Sequence, residues 1–245
     1  MRTEIIYEDK SIMVVRKPAG LAAQTAKVGQ QDVVSELKNY LRQPYLGIIH
    51  RLDQPVEGLL VFAKTRDAAA ELTAQLQRQG EGGTLHKQYY AVLCGKPSEN
   101  QGRLVDYLYK DGSGTAVMAD AGSGPGTVGV REGAKQSGAK RAALSWRILQ
   151  TIDSPAEMAL AEISLETGRF HQIRAQLAHY GYPLLGDVKY GDDRTKSLSQ
   201  RLCIKNAALC ACRLEFAHPA TKKIMSFQTE PRGQAFSYFL ISAHT

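Results

Sequence analysis

An almost uninterrupted apolar run from Gly58 to Lys64 constrains the fold of this chain more than any other feature of its sequence. A run of strand length without alternation of apolar and polar residues is typical of a β-strand that is buried on both faces. The segment from His50 to Asp53 stands just before it and reads His-Arg-Leu-Asp. The sequence therefore places a carboxylate beside an arginine at the mouth of a buried strand, which makes Asp53 a candidate reactive group.

The other predicted elements favour an α+β domain. One helix is predicted after Asp32, a suitable N-cap, another over the alanine-rich segment that Gly80 ends, and a third before Gly181. Strands outnumber helices, and there is no regular alternation of strand and helix that would build a parallel sheet. Strands are predicted over residues 12–18, 58–64, 86–94, 142–150, 158–166, 209–216 and 224–227, and the first two helices over 33–41 and 66–79.

The periodic pattern is lost between Asp111 and Arg141. Eight glycines lie between Gly112 and Gly138, and no apolar period survives. This composition predicts a mobile surface loop at about residues 111–141 inside an otherwise single domain of residues 1–245. The loop contains a formal match to the dinucleotide-binding Gly-x-Gly-x-x-Gly pattern at residues 124–129. We discount this match because no strand precedes it and no helical pattern follows it.

Composition narrows the class of protein. An excess of lysine and arginine gives a net charge of +7 and a pI near 9.2, which favours phosphate-bearing partners without proving one. No segment approaches the ~18 apolar residues of a membrane span, and the N-terminus lacks a signal core, so we expect a cytoplasmic protein away from membranes. The four cysteines lack the spacing of a disulfide framework, and Cys203, Cys210 and Cys212 have no fourth ligand at finger spacing. We therefore expect no metal site.

A second polar motif lies far along the chain from Asp53. The segment from Thr167 to Arg174 reads Thr-Gly-Arg-Phe-His-Gln-Ile-Arg, the pattern of a strand end, a glycine turn and the start of a basic helix. Arg174 shares a helical face with His171, whereas Ile173 turns towards the core. This face is either a solvated basic surface or, together with the positive end of the helix, a site for a carboxylate or phosphate.

These motifs resemble those of the RluA-type RNA pseudouridine synthases. The shared patterns are His-Arg-Leu-Asp, four residues and Gly-Leu-Leu from His50, Lys-x-Tyr-x-Ala from Lys87, and Gly-Arg-x-His-Gln-x-Arg from Gly168. A Lys-Pro-Ala-Gly-Leu motif from Lys17 also matches, so the resemblance runs from about residue 5 to residue 227. It implies a mixed, largely antiparallel central sheet with flanking helices. It also implies an enzyme that isomerises uridine to pseudouridine in ribosomal or transfer RNA.

This isomerisation breaks the bond between ribose and uracil N1 and rejoins the base through C5. Nothing is oxidised and no group is lost, so no cofactor is expected. The reaction needs a carboxylate, a cation that keeps it ionised, and a flat ring that holds the detached base. The resemblance implies that Asp53 is the catalytic carboxylate, that Arg174 pairs with it, and that Tyr89 is the active-site ring. Tyr90 should point to the opposite face of its strand and belong to the core.

Other residues of the two motifs are predicted to bind RNA. The resemblance suggests that Arg51 fills the gap left in the RNA when the uridine swings out, since a guanidinium both stacks and hydrogen-bonds. The two histidines are interpreted as structural residues or phosphate contacts. The predicted substrate-binding set is His50, Arg51, Arg169, His171 and Gln172. We expect a monomer without an obligate protein partner, whose RNA affinity comes from the catalytic domain because no separate N-terminal RNA-binding domain fits before the first strand.

The chain departs from the family pattern in ways that leave other functions open. Val56-Glu57 replaces the usual Thr-Ser, Phe170 replaces a small or polar residue, and Arg16 replaces Asn. Glu57 adds a carboxylate four residues after Asp53, so a hydrolase of glycosidic bonds is one competing function. The other is an RNA-binding protein that has lost catalysis, although the predicted catalytic residues are all present.

Overall fold

The computed structural model describes residues 1–25, 29–78, 83–119 and 138–240. Contacts between Cα atoms divide the chain into two compact units. The first comprises Met1–Tyr90, Leu209–Gly233 and Leu240–Thr245, and the second comprises Ala91–Ala208 and Gln234–Phe239. The single domain expected from the sequence stays a prediction.

The described residues form a mixed, largely antiparallel α+β fold, which confirms the predicted fold class. The strands are β1 (Glu4–Glu8), β2 (Ile12–Lys17), β3 (Gly47–Ile48), β4 (Glu57–Ala63), β5 (His86–Cys94), β6 (Gln101–Lys110), β7 (Ala116–Met118), β8 (Lys140–Ile152), β9 (Met158–Leu165), β10 (Leu209–Ala217) and β11 (Ile224–Gln228). The helices are α1 (Val33–Leu41), α2 (Arg66–Gln77), α3 (Gln172–His179) and α4 (Asp193–Arg201), and a short 3-10 helix covers Gln234–Tyr238. No helix in these described ranges is long and apolar enough to cross a membrane.

The first unit is organised around β4, in which every residue is buried. Its strands lie in the order β1-β2-β4-β10, with β11 paired to β10 and β3 paired to β4. The pairing of β4 with β10 is parallel, whereas the other pairings named here are antiparallel. Side chains of β2, β4 and β10 pack with α2 in one hydrophobic cluster. The buried strand predicted from the apolar run is therefore confirmed.

Gly58 allows β4 to lie close to β10. Its φ of 121° lies in the region that favours glycine, and a Cβ atom there would stand 2.5 Å from the backbone N and O of Ala211. Ala211 is also its partner in the parallel register. Any side chain at Gly58 would push these two strands apart just after the segment that carries Asp53.

The helices of the first unit begin at side-chain caps. Asp32 accepts a hydrogen bond from the Ser35 N–H at 2.7 Å, which confirms the predicted cap of α1. Thr65 caps α2 by accepting from the Ala68 N–H at 3.2 Å. The predicted stop of this helix at Gly80 lies outside the described residues.

The second unit is an antiparallel arrangement with strand order β9-β8-β6-β7. Helix α3 packs through Ala175 on a cluster that includes Leu108, Ala116 and Ala142. The described ends of the loop predicted at about 111–141 contain β7 and the start of β8, and the mobility of the loop stays a prediction. Backbone pairing with β6 orders these short segments although their own apolar pattern is weak. The central part of that predicted loop, residues 120–137, lies outside the described residues.

Candidate active site

The backbone around Asp53 is held by the loop that follows β2. The Val56 N–H donates to the Asp53 carbonyl at 3.0 Å, which closes a tight turn. The Gly20 N–H donates to the Gln54 carbonyl at 2.8 Å, and the Gln54 side-chain amide donates back to the Gly20 carbonyl at 3.2 Å. Leu52 is buried and anchors the turn, whereas Asp53 itself is partly exposed. Asp53 is therefore partly exposed on a backbone that hydrogen bonds hold in place.

Lys17 places a buried cation near this carboxylate. Its side chain is fully buried, and Nζ donates to the carbonyls of Pro18, Leu21 and Gln54 at 3.0, 2.6 and 3.1 Å. Burial lowers the pKa of Lys17 to about 7, while the charges of Asp53 and Glu57 oppose that change. The prediction missed Lys17 as a site residue. Its signals in the sequence were its position at the end of a strand and at the start of the Lys-Pro-Ala-Gly-Leu motif.

Tyr89 lies in the electrostatic neighbourhood of Asp53. The ring is buried, and burial followed by the charge of Asp53 raises the pKa of the phenol. The phenol is therefore neutral at pH 7. Both of these predicted catalytic residues belong to the first unit.

Tyr89 and Tyr90 occupy opposite faces of β5, but the assignment of the core face was wrong. The buried face carries Lys87 and Tyr89, and Tyr90 is only partly buried. Strand alternation fixes the opposition of the two side chains, whereas the neighbouring strands decide which face is covered. The sequence pattern alone therefore could not rank the two tyrosines.

His50 is buried under β4. Its Nε2 accepts from the Val61 N–H at 3.4 Å. Burial lowers the pKa of His50 well below its ordinary value, and the nearby Lys87 ammonium lowers it further. These contacts favour the structural interpretation of His50 over a phosphate contact. Arg51, in contrast, is exposed.

Glu57 and Arg16, two of the departures from the family pattern, form one ion pair. Arg16 Nη2 lies 2.5 Å from Glu57 Oε2, and both side chains are buried. The other oxygen of Glu57 accepts the N–H groups of Arg232 and Gly233 at 3.0 and 2.7 Å. Both carboxylate oxygens are therefore engaged in structural contacts, which counts against Glu57 as the second carboxylate of a glycosidase.

In the second unit, Gln172 braces the loop before α3. It is buried, its Oε1 accepts from Thr167 Oγ1 and from the Arg169 N–H, each at 2.9 Å, and its Nε2 donates to the Ala143 carbonyl at 3.0 Å. These bonds fix the turn, so Gln172 shapes the loop from within. Arg169 is exposed, and its Nε donates to the Arg141 carbonyl at 2.8 Å.

Arg174 is buried rather than solvated. Its Nε and Nη2 donate to the two carboxylate oxygens of Asp187 at 2.7 and 2.8 Å, and its guanidinium lies 5.1 Å from the centre of the Tyr190 ring. The interpretation as a solvated basic face was therefore wrong, and Asp187 is a partner that the sequence did not reveal. The predicted pairing of Arg174 with Asp53 joins residues of different units and stays a prediction.

Sequence comparison identifies the family. The chain matches the family described as RNA pseudouridylate synthase over residues 11–179. It belongs to this family. The ribosomal large subunit pseudouridine synthase D of Pseudomonas aeruginosa is 33% identical over 97% of this chain and 70% of its own length. The protein of the same name from Zymomonas mobilis subsp. mobilis is 32% identical over 93% of this chain and 68% of its own length. The family consists of isomerases, so this chain is of an enzyme family.

Solved structures agree on the fold. The human RNA pseudouridylate synthase domain containing 1 superposes with a TM-score of 0.71 at 19% identity, covering 94% of this chain and 83% of that one. The human RNA pseudouridylate synthase domain containing 4 gives 0.67 at 23% identity, covering 96% and 92%. At these identities the likeness supports the fold alone.

Proposed function

We propose that this chain is a pseudouridine synthase of ribosomal RNA in which Asp53 is the catalytic carboxylate. The observation that carries the proposal is the surroundings of Asp53: a fixed turn, the buried ammonium of Lys17 and the neutral phenol of Tyr89. The names of the two bacterial relatives favour ribosomal RNA over transfer RNA as the substrate.

Each of these groups fits a requirement of the isomerisation. Asp53 acts on the ribose or the base while the bond from ribose to N1 breaks. The Lys17 ammonium supplies a positive charge near this carboxylate, and a charge in a buried setting is weakly screened. After rotation of the uracil, a new bond forms to C5, the proton on C5 leaves, and N1 gains a proton.

Tyr89 suits the rotation and the protonation steps in its neutral form. Its ring offers a flat surface to the detached uracil. Because the raised pKa keeps the hydroxyl protonated, we assign it a role as a hydrogen-bond donor during the reaction rather than as a base in the free enzyme.

RNA contacts are assigned to the exposed cations of the two motifs. Arg51 is exposed two residues before Asp53, where it can enter the space vacated by a flipped nucleotide. Arg169 and His171 lie on the loop before α3 and are proposed to contact phosphates. Gln172 and His50 are buried, and we assign them structural roles rather than contacts with RNA.

Mapping of pseudouridine in cellular RNA tests the proposal. A strain without the gene is complemented with the wild type, with Asp53→Asn, or with Asp67→Asn, an exposed carboxylate in the first turn of α2 that serves as the control. We expect one or more ribosomal sites to lose pseudouridine in the deletion, to regain it with the wild type and with Asp67→Asn, and to stay unmodified with Asp53→Asn. Restoration by Asp53→Asn would refute the catalytic assignment, and a change confined to transfer RNA would refute the substrate.

A further inference from the structure

Phe170 is an exposed aromatic ring in the loop before α3. It is 40% exposed and stands where the family pattern has a small or polar residue. The ring stacks on His171 with a centroid distance of 3.7 Å and an interplanar angle of 20°. The Lys110 ammonium lies 4.8 Å from the centre of the Phe170 ring. We call Phe170, His171 and Lys110 the Phe170 platform.

Hydrogen bonds hold this platform in a fixed orientation. His171 Nδ1 shares a hydrogen bond of 2.9 Å with the Tyr190 hydroxyl, which also accepts the Ala116 N–H at 2.8 Å. The Tyr190 N–H in turn donates to Asp187 at 3.1 Å. The phenyl ring is therefore supported by a chain of contacts that ends at the buried partner of Arg174. A rigid aromatic surface loses little conformational entropy when a ligand stacks on it.

Further cations stand on residues linked to the platform: Arg169 precedes Phe170 and donates to the Arg141 carbonyl, and Lys189 precedes Tyr190. Two nearby carboxylates are already engaged: Glu166 accepts from Arg103 at 2.6 and 2.7 Å, and Asp111 accepts from Ser113 and from the Thr115 N–H, each at 2.7 Å. Lys110, Arg141, Arg169 and Lys189 are all exposed. This combination of exposed ring and cations suits a nucleotide, whose base stacks while its phosphate meets positive charge.

We propose that the Phe170 platform binds an unpaired base of the RNA substrate, with Lys110 contacting a phosphate beside that base. The proposal rests on the proposed function, since it assumes an RNA substrate. The cation over an exposed ring is a weak contact that an incoming base can displace. Stacking on one aromatic side chain is sequence-tolerant, so Phe170 sets where a strand runs more than which base it carries.

Binding measurements separate the ring from the charge. The probe is a single-stranded, uridine-rich RNA that contains a fluorescent purine analogue, whose emission is quenched when it stacks. Phe170→Ser should weaken binding by about tenfold and reduce the quenching, without changing the slope of log K against log salt. Phe170→Trp should preserve both signals. Lys110→Ala should instead reduce the slope by about 0.7, the value for one phosphate contact on a single strand.

Leu149→Ser is the matched control, because Leu149 lies on β8 of the same unit and is also 40% exposed. Its binding and quenching should equal those of the wild type. The proposal is overturned if Phe170→Ser binds and quenches like the wild type, if Leu149→Ser is impaired equally, or if the wild type does not bind the probe.

Turnover distinguishes a failure of this proposal from a failure of the proposed function. On ribosomal RNA, the effect of Phe170→Ser should fall mainly on KM, and Phe170→Trp should restore it. Pseudouridine formation with a KM that does not respond to Phe170→Ser would refute the platform alone. Quenching that depends on Phe170, in a wild type that forms no pseudouridine, would refute the proposed function and leave the platform standing.

Discussion

The turn that carries Asp53 and the loop that carries Phe170 are built in opposite ways. Around Asp53 the supporting groups are buried: Lys17 is surrounded by backbone carbonyls, and Tyr89 is covered by the sheet. Around Phe170 the phenyl ring and the Lys110 side chain are exposed, and the supporting His171 and Tyr190 are only partly buried. Buried groups have fixed positions and weakly screened charges, which suits chemistry. Exposed rings and cations tolerate different partners, which suits recognition of RNA.

The largest expected effect tests this division directly. In single-turnover assays, purified Asp53→Asn should lower the rate of pseudouridine formation by about 10²- to 10⁴-fold, because the amide can serve neither as a base nor as a nucleophile. Its affinity for RNA should persist, whereas Phe170→Ser should show the reverse pattern. If Asp53→Asn loses affinity as strongly as Phe170→Ser does, the two regions do not divide catalysis and recognition.

The buried Arg16–Glu57 pair offers a test of how firmly the first region is held. Glu57→Ser leaves the Arg16 guanidinium buried without its carboxylate, which should lower the free energy of unfolding by about 3 to 5 kcal/mol. The double variant Arg16→Asn/Glu57→Ser, which carries the residues of the family pattern, should recover most of that loss. Urea denaturation of the two single variants and the double variant gives the coupling energy. Strictly additive losses would show that the two residues do not act as a pair.

The buried lysine predicts a pH dependence of stability. The pKa of Lys17 is about 7 in the folded protein against an ordinary value of 10.5, so between these values the unfolded chain binds a proton that the folded protein has lost. Stability should therefore rise with pH across this window, and Lys17→Met should show a smaller rise. The remaining rise is expected from Lys87, whose pKa is lowered by burial to about 8.

Nuclear magnetic resonance of labelled lysine side chains measures the pKa of Lys17 directly in the wild-type protein. The Lys17 ammonium should titrate near pH 7. Titration of Lys17 near 10.5 would show that water reaches its ammonium, and the contrast between a buried and an exposed region would fail.

The smallest effect on stability is expected for the ion pair between Arg103 and Glu166 in the second unit. Arg103 and Glu166 form two hydrogen bonds, but the arginine is exposed to solvent. Arg103→Ala should leave the urea midpoint close to that of the wild type. An exposed ion pair stabilises the folded protein little, because water solvates the two separate charges almost as well as they attract each other. A shift as large as that of Glu57→Ser would show that burial does not separate the two pairs.

Local patterns in the sequence determined several elements of this protein. Strand β5 was predicted with its observed limits, and β4 agreed within one residue at each end, because strand signals are short-range. Asp32 capped α1 as expected, and the strands predicted over 209–216 and 224–227 formed and paired as β10 and β11. The polar helix α4 was missed because its apolar residues are too few to mark a face.

The motif residues were also readable from the sequence, since Asp53 and Arg174 stand in patterns that do not depend on the rest of the chain. The contacts that these and other site residues make could not be predicted from the sequence. The carbonyl shell of Lys17, the Arg16–Glu57 pair and the Arg174–Asp187 pair became visible only in three dimensions. Periodicity and capping act over one or two turns of chain, whereas burial and its electrostatic effects depend on segments that meet only after folding. The sequence by itself therefore determined the elements and the family motifs, and the tertiary structure decided which of their side chains are buried, charged and paired.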